Sequence, residues 1–285
     1  MRKIPKGKLI LIGGAEDKEN GNKPEIAERN KKFEHLEILK SLLPENKSKC
    51  KIEVITTATS LPEEVGNDYK RVFKKIGFKD IGIMNITTRE ESHEKKYVER
   101  VKRADVILFS GGDQFKVSTI LGCSEVVSEI TRKYKEDSGF TVAGTSAGAM
   151  AMPKTMLYEG NVNEAMLKGD VKTSAGLGLL DNCIVDTHFI KRGRFPRLTQ
   201  SILINPACVG IGLGEDTALV VTKGNEMECK GSGMVVIIDG YDVKHTNIAY
   251  AEENTPVSVE NLRVHILIKG SGYKLIEREF IPEKT

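Results

Sequence analysis

No stretch of this chain approaches the roughly 20 consecutive apolar residues that a membrane helix needs. Its five cysteines, Cys50, Cys123, Cys183, Cys208 and Cys229, are odd in number and none lies close to another, so no CxxC pair exists. This argues against a disulfide framework and against a zinc site, and fits reduced thiols in a cytosol. Neither sign of charge prevails. Forty-three basic and 40 acidic residues leave a net +3, which gives no general reason to expect nucleic acid or a membrane as a partner. Internal repeats and low-complexity tracts are also missing. The basic start MRKIPKGKLILIGG carries too short an apolar run for a signal peptide and lacks a small-residue cleavage site. It reads better as a first strand, and the cytoplasm is the expected compartment.

What is present describes an ordinary globular chain: 285 residues, 39% hydrophobic and 29% charged. Short apolar runs at residues 9–12, 52–55, 81–86, 106–109 and 140–143 alternate with helical patterns at 25–43 and 63–76. That rhythm predicts a parallel sheet covered on both faces. In such sheets ligands bind beyond the carboxyl ends of the strands. Three of these runs end in glycine-containing loops: Gly13-Gly14, Gly111-Gly112 and Gly144. Residues 218–222, 227–230, 234–239 and 264–269 are strand-like with few helical patterns between them, and predict an antiparallel C-terminal extension of the same sheet. The expectation is one α/β catalytic domain over residues 1–285. Residues 161–178 show no periodicity and are expected to form a loop or lid.

The strongest local signal is Gly144-Thr145-Ser146-Ala147-Gly148, between a strand and a short apolar helix start. A serine on such a sharp turn presents its hydroxyl above the sheet edge, and the helix start favours developing negative charge. A glycine-rich turn that merely connects strand and helix has the same appearance. A serine nucleophile needs a base. Among five histidines, His35 and His93 lie in charged segments and His245 and His265 in late strands. His188 follows the apolar run 183–185, which would place it at the sheet edge with Ser146. The orienting acid is expected from Glu215 or Asp216, which follow a glycine-rich strand. Asp186 is the alternative, two residues from His188 and on its face if the strand continues. Gly111, Gly112 and Ala147 could supply oxyanion-hole amides. Gln114 could contact substrate, and Asp186 could meet a basic group on it. Arg192, Arg194 and Arg197, just after His188, could clamp substrate carboxylates, although charge runs are more often solvated. Neither the overall charge nor the aromatic content of this segment favours RNA.

The order serine, histidine, glutamate differs from that of an α/β-hydrolase. Five blocks occur in sequence: Gly13-Gly14-Ala15-Glu16-Asp17-Lys18, Ser110-Gly111-Gly112-Asp113-Gln114, the elbow from Gly144 to Ala149, Asp186-Thr187-His188-Phe189 with Arg192, Arg194, Arg197 and Leu198, and Glu215-Asp216-Thr217-Ala218. From about residue 9 to at least 268 the chain resembles the cyanophycinase family of serine peptidases, relatives of dipeptidase E. The resemblance implies a three-layer, flavodoxin-like fold related to class I glutamine amidotransferases. It implies Ser146 as nucleophile, His188 as base and Glu215 as orienting acid, with no metal or cofactor. The implied reaction is hydrolysis of cyanophycin, a polyaspartate backbone bearing arginine, to β-Asp-Arg dipeptides. The family commonly has glutamine, a pocket residue, at the position of Thr187, which leaves the exact substrate open; it also commonly has aspartate where this chain has Gly214. An α-aspartyl or other acidic dipeptide hydrolase with the same triad is the alternative. A non-catalytic binding protein on this scaffold is less favoured, and a homodimer is left open.

Overall fold

The computed structural model describes residues 4–18, 30–44, 50–161 and 166–283. In chain order the strands are β1 (Lys8–Ile12), β2 (Lys51–Ile55), β3 (Asp80–Met84), β4 (Val106–Phe109), β5 (Thr141–Thr145), β6 (Thr155–Glu159), β7 (Lys172–Ala175), β8 (Cys183–Asp186), β9 (Val209–Leu213), β10 (Thr217–Thr222), β11 (Glu226–Gly231), β12 (Val235–Asp239), the two-residue β13 (His245–Thr246) and β14 (Val259–Glu260), then β15 (Arg263–Leu267), β16 (Gly272–Lys274) and β17 (Glu279–Ile281). The helices are α1 (Glu37–Lys40), α2 (Pro62–Ile76), α3 (Lys95–Arg103), α4 (Gln114–Leu121), α5 (Glu125–Glu136), α6 (Ala147–Ala151) and α7 (Phe195–Ile204).

Five parallel strands, in the order β1-β5-β4-β2-β3, form the heart of a nine-stranded sheet. Their sequences are almost wholly apolar because both faces are covered. Alternate residues of β1 serve opposite sides: Leu9 and Leu11 join Val101, Ile130 and Ala149 from α3, α5 and α6, whereas Ile10 and Ile12 join Leu39, Tyr69 and Phe73 from α1 and α2. The three-layer α/β architecture follows from this two-sided burial. Helix α2 shows how local chemistry agrees with it: Pro62 opens the helix, glutamates occupy its first turn, lysines its last, and Gly77 ends it at φ 110°. The predicted helix over 25–43 fares differently. Residues 25–29 lie outside the described residues, and within 30–43 only Glu37–Lys40 is α-helical, because Leu36 takes a left-handed φ of 59°.

On the other side of β1 the sheet continues antiparallel through β10, β11, β16 and β17. The C-terminal antiparallel extension is therefore present, but with a different membership from the four late runs. The chain leaves the sheet at Gly231-Ser232-Gly233, where Gly231 has φ 93° and Ser232 is held by Asp216. Beyond that turn β12 and β15 join β9 and β8 in a second, four-stranded sheet. One face of this sheet contributes Val185, Ile211 and Ile237 to the same core as β1. The other packs Ile184, Val236 and Ile238 against Leu198 and Ile202 of α7. Residues 161–178 are likewise not all loop. Lys172–Ala175 pairs antiparallel with Thr155–Glu159, while 162–165 lie outside the described residues.

Candidate active site

The carboxyl ends of β1, β5 and β4 lie side by side and carry the three glycine-containing loops. Ser146 occupies the turn from β5 into α6 with φ 51° and ψ −117°, backbone that a side-chain-bearing residue adopts only where its surroundings impose it. The flanking glycines explain how so tight a turn closes. A Cβ at Gly144 would sit 2.6 Å from Gly148 backbone atoms, and one at Gly148 would sit 2.3 Å from the Phe109 carbonyl.

His188 reaches this turn from the second sheet rather than from the sheet that holds Ser146, a correction to the expected shared edge. Its Nε2 lies 3.0 Å from Ser146 Oγ, and its Nδ1 lies 2.7 Å from Glu215 Oε1. Burial pushes the Glu215 carboxyl up in pKa. Hydrogen bonds from His188 and Lys191, with the charge of Lys191, outweigh it and hold the group below the ordinary glutamate value. An ionised carboxylate can only accept, so Nδ1 carries the proton and Nε2 is left to accept from the Ser146 hydroxyl. In this arrangement an imidazole can take a proton from the hydroxyl as its oxygen attacks, while the carboxylate offsets the charge that results. Lys191, whose Nζ is 3.1 Å from Glu215 Oε2, was not singled out from the sequence, where it was one charge in a basic run.

Asp186 is not the orienting acid. Strand β8 ends at Asp186, and His188 turns to φ 48°, so the two side chains do not share a face. Asp186 is fully buried and holds the arginines instead. Arg194 Nη1 donates to its Oδ1 at 2.9 Å, Arg197 Nε to its Oδ2 at 2.6 Å, and Arg197 Nη2 to Oδ1 as well. Arg194 Nη1 also donates to the Thr187 carbonyl at 2.8 Å. Asp186, Arg194 and Arg197, expected to face substrate, face one another instead: one buried carboxylate is shared by the two guanidiniums. Thr187 is fully buried too, its Oγ1 3.3 Å from Met150 Sδ, and does not line an open pocket. Gln114 reaches the Leu157 and Tyr158 carbonyls. Of the three arginines only Arg192 is exposed. The Gly111 backbone lies beside Ser146, since a Cβ there would be 3.4 Å from Ser146 Cβ. Gly112 follows it, and Ala147 is the first residue of α6. Among the described residues no group of three or more His, Cys, Asp or Glu side chains is arranged to hold a metal ion.

Residues 20–228 match the model of peptidase family S51. The cyanophycinase of Nostoc sp. (strain PCC 7120) is 33% identical over 275 residues, covering 96% of this chain and 87% of the relative. The chain belongs to peptidase family S51. A second relative, the cyanophycinase of Synechococcus elongatus, is 32% identical over 271 residues, 95% of this chain and 80% of its own length. The crystal structure of a peptidase from an acI-B1 Actinobacterium superposes with a TM-score of 0.64 at 22% identity, covering 96% of this chain and 99% of that one. That likeness shows that the two chains share a fold. The order Ser146, His188, Glu215 along this S51 chain is realised by two sheets that meet at β1, not by one sheet edge.

Proposed function

We propose that this S51 peptidase hydrolyses cyanophycin to β-Asp-Arg dipeptides through an acyl-enzyme on Ser146. The observation that carries the mechanism is the continuous chain from Ser146 Oγ through the His188 ring to Glu215. Ser146 Oγ attacks the scissile carbonyl carbon and its proton passes to His188 Nε2. As the C–N bond breaks, His188 returns that proton to the leaving amine. Water then attacks the ester carbonyl, giving a proton to His188, and that proton passes to Ser146 Oγ as the ester C–O bond breaks and the acid is released. Glu215 keeps the ring in the tautomer that accepts at Nε2 and stabilises the imidazolium. The amides of Gly111, Gly112 and Ala147 receive the oxyanion. Arg192, exposed beyond His188, meets the free carboxylate of an arginine that the polyaspartate backbone carries.

The substrate assignment is supported by the named relatives, which match nearly the whole chain. An α-aspartyl dipeptidase is not favoured. The cytoplasm is the proposed compartment: Cys123, Cys183, Cys208 and Cys229 are free thiols, as a reducing compartment would keep them. Among the described residues no helix is long and apolar enough to cross a membrane. Incubation of the purified chain with cyanophycin and with α-aspartyl dipeptides, followed by mass spectrometry of the products, tests the proposal. Release of β-Asp-Arg from the polymer is expected; turnover of the α-linked dipeptides alone would refute the substrate.

A further inference from the structure

The three turns that carry Ser146, His188 and Glu215 come from β5, β8 and β9, two of them belonging to a sheet that does not contain β1. All three nevertheless bind one short piece of backbone. The Ser146 amide donates to the Ile12 carbonyl at 2.9 Å, the His188 amide to the Gly13 carbonyl at 3.0 Å, and the amide of Asp216, next to Glu215, to the Gly14 carbonyl at 3.0 Å. Each donor is also a side-chain-bearing residue with left-handed φ, 51°, 48° and 45°. Such backbone persists only where surrounding contacts over-determine it, and these three hydrogen bonds are part of that determination.

The geometry points to the backbone of residues 12–14 as a template that sets the spacing of Ser146, His188 and Glu215, with Gly13 and Gly14 as positioning residues. This rests on the reading of those three side chains as the catalytic machinery. The template is itself held in place. Strand β1 pairs with β5 on one side and β10 on the other, and the Gly13 amide continues the second ladder to the Thr217 carbonyl at 2.8 Å. The next residues extend the grip: Thr145 Oγ1 donates to the buried Glu16 Oε2 at 2.7 Å, and the Asp17 amide donates to Asp216 Oδ1 at 3.1 Å. Side chains are excluded where the template meets its guests. A Cβ on Gly13 would lie 1.8 Å from the Gly214 carbonyl oxygen, and one on Gly14, at φ 95°, would lie 2.5 Å from both Cε1 and Nε2 of His188. The added methyl of Gly14→Ala therefore presses on the ring atom that faces Ser146.

The test compares the wild-type chain, Gly14→Ala and Gly178→Ala. Gly178 has φ 71° and open space around its would-be Cβ, so its variant carries left-handed strain without the contact to His188. The rate at which a fluorophosphonate phosphonylates Ser146, with loss of fluoride, is expected to fall by about 100-fold or more in Gly14→Ala, the order of loss that a misplacement near 1 Å produces. The downfield proton on His188 Nδ1 should shift in the same variant, while Gly178→Ala keeps both rate and resonance. Wild-type rate and an unshifted proton in Gly14→Ala would overturn the template. Hydrogen exchange on the unmodified chain decides the matter independently of any variant. The amides of Ser146, His188 and Asp216 should be protected like those of β1, and exchange at the rate of open loops would refute the proposal. A wild-type chain inert to the reagent would instead remove the nucleophile reading, and the exchange data would still judge the template.

Discussion

Replacing Asp186 with asparagine should weaken the fold far more than its distance from the reacting atoms suggests. The carboxylate is fully buried and accepts from Arg194, from Arg197 through two nitrogens, and from the Thr187 amide. Arg197 is only 7% exposed, so Asp186→Asn would leave two guanidinium charges inside the protein without a counter-charge. Breaking a buried ion pair from one side costs about 3–5 kcal/mol, most of it the penalty of the charge left behind. At roughly 2–4 °C per kcal/mol for large single-chain proteins, Tm should fall by on the order of 10 °C. The damage should also reach the reaction, because Arg194 holds the Thr187 carbonyl immediately before His188. Chemical denaturation and calorimetry measure the first effect, and kcat on cyanophycin the second. Arg197→Ala should behave alike, leaving the buried carboxylate short of a partner. The reasoning fails if both variants stay within about 1 kcal/mol of wild type while the preference for cyanophycin over α-aspartyl dipeptides collapses. That result would make Arg194 and Arg197 readers of substrate after all.

Ser146→Ala should lower kcat by several orders of magnitude, roughly 10⁴-fold or more, with stability little changed, as measured by dipeptide release and Tm. Glu215→Gln should leave the fold intact and reduce kcat by about 10²–10⁴-fold, since an amide can hold the ring in the wrong tautomer; near-wild-type turnover would remove Glu215 from the mechanism. Lys191→Met tests the second contact on Glu215. Its ammonium is largely exposed, so the change at neutral pH should be no more than about 1 kcal/mol, a few-fold in rate. At acid pH the sign is fixed. Glu215 has a lowered folded pKa, so its stabilising contribution is present above the unfolded value and is lost as pH falls through the folded one. Without Lys191 the folded pKa rises, and the acid loss of stability in a pH–Tm series should begin at higher pH.

Some of this was legible in the chain itself because it depends on neighbours in sequence. Gly144-Thr145-Ser146-Ala147-Gly148 reads as a strand-to-helix turn because small residues permit close approach and the hydroxyl lies at its apex, and the structure has that turn. The central strands were readable for a similar reason: burial on both faces demands uninterrupted apolar runs, as in β4, VILF. Helix α2 announced its own ends through Pro62 and Gly77. Placement at a strand end pointed to His188, whereas Glu215 was singled out from Asp216 and Asp186 by the family resemblance, and the two side chains are within hydrogen-bond reach of one another.

What tertiary structure alone decided is where charges point and which sheet a strand joins. A run such as Lys191-Arg192-Gly193-Arg194-Phe195-Pro196-Arg197 looks the same whether its guanidiniums face solvent, substrate or the interior. Only the arrival of Asp186 beneath α7 turns Arg194 and Arg197 inward and leaves Arg192 outside. Strands β10 and β12 likewise carry equally apolar sequences, yet one extends the central sheet and the other enters the second, because pairing is a contact between distant segments that neither segment encodes alone. The same holds for the three amides gathered on Ile12, Gly13 and Gly14. The glycine pair is visible in the sequence, but its partners lie more than a hundred residues away, and only the folded backbone brings their N–H groups to those carbonyls.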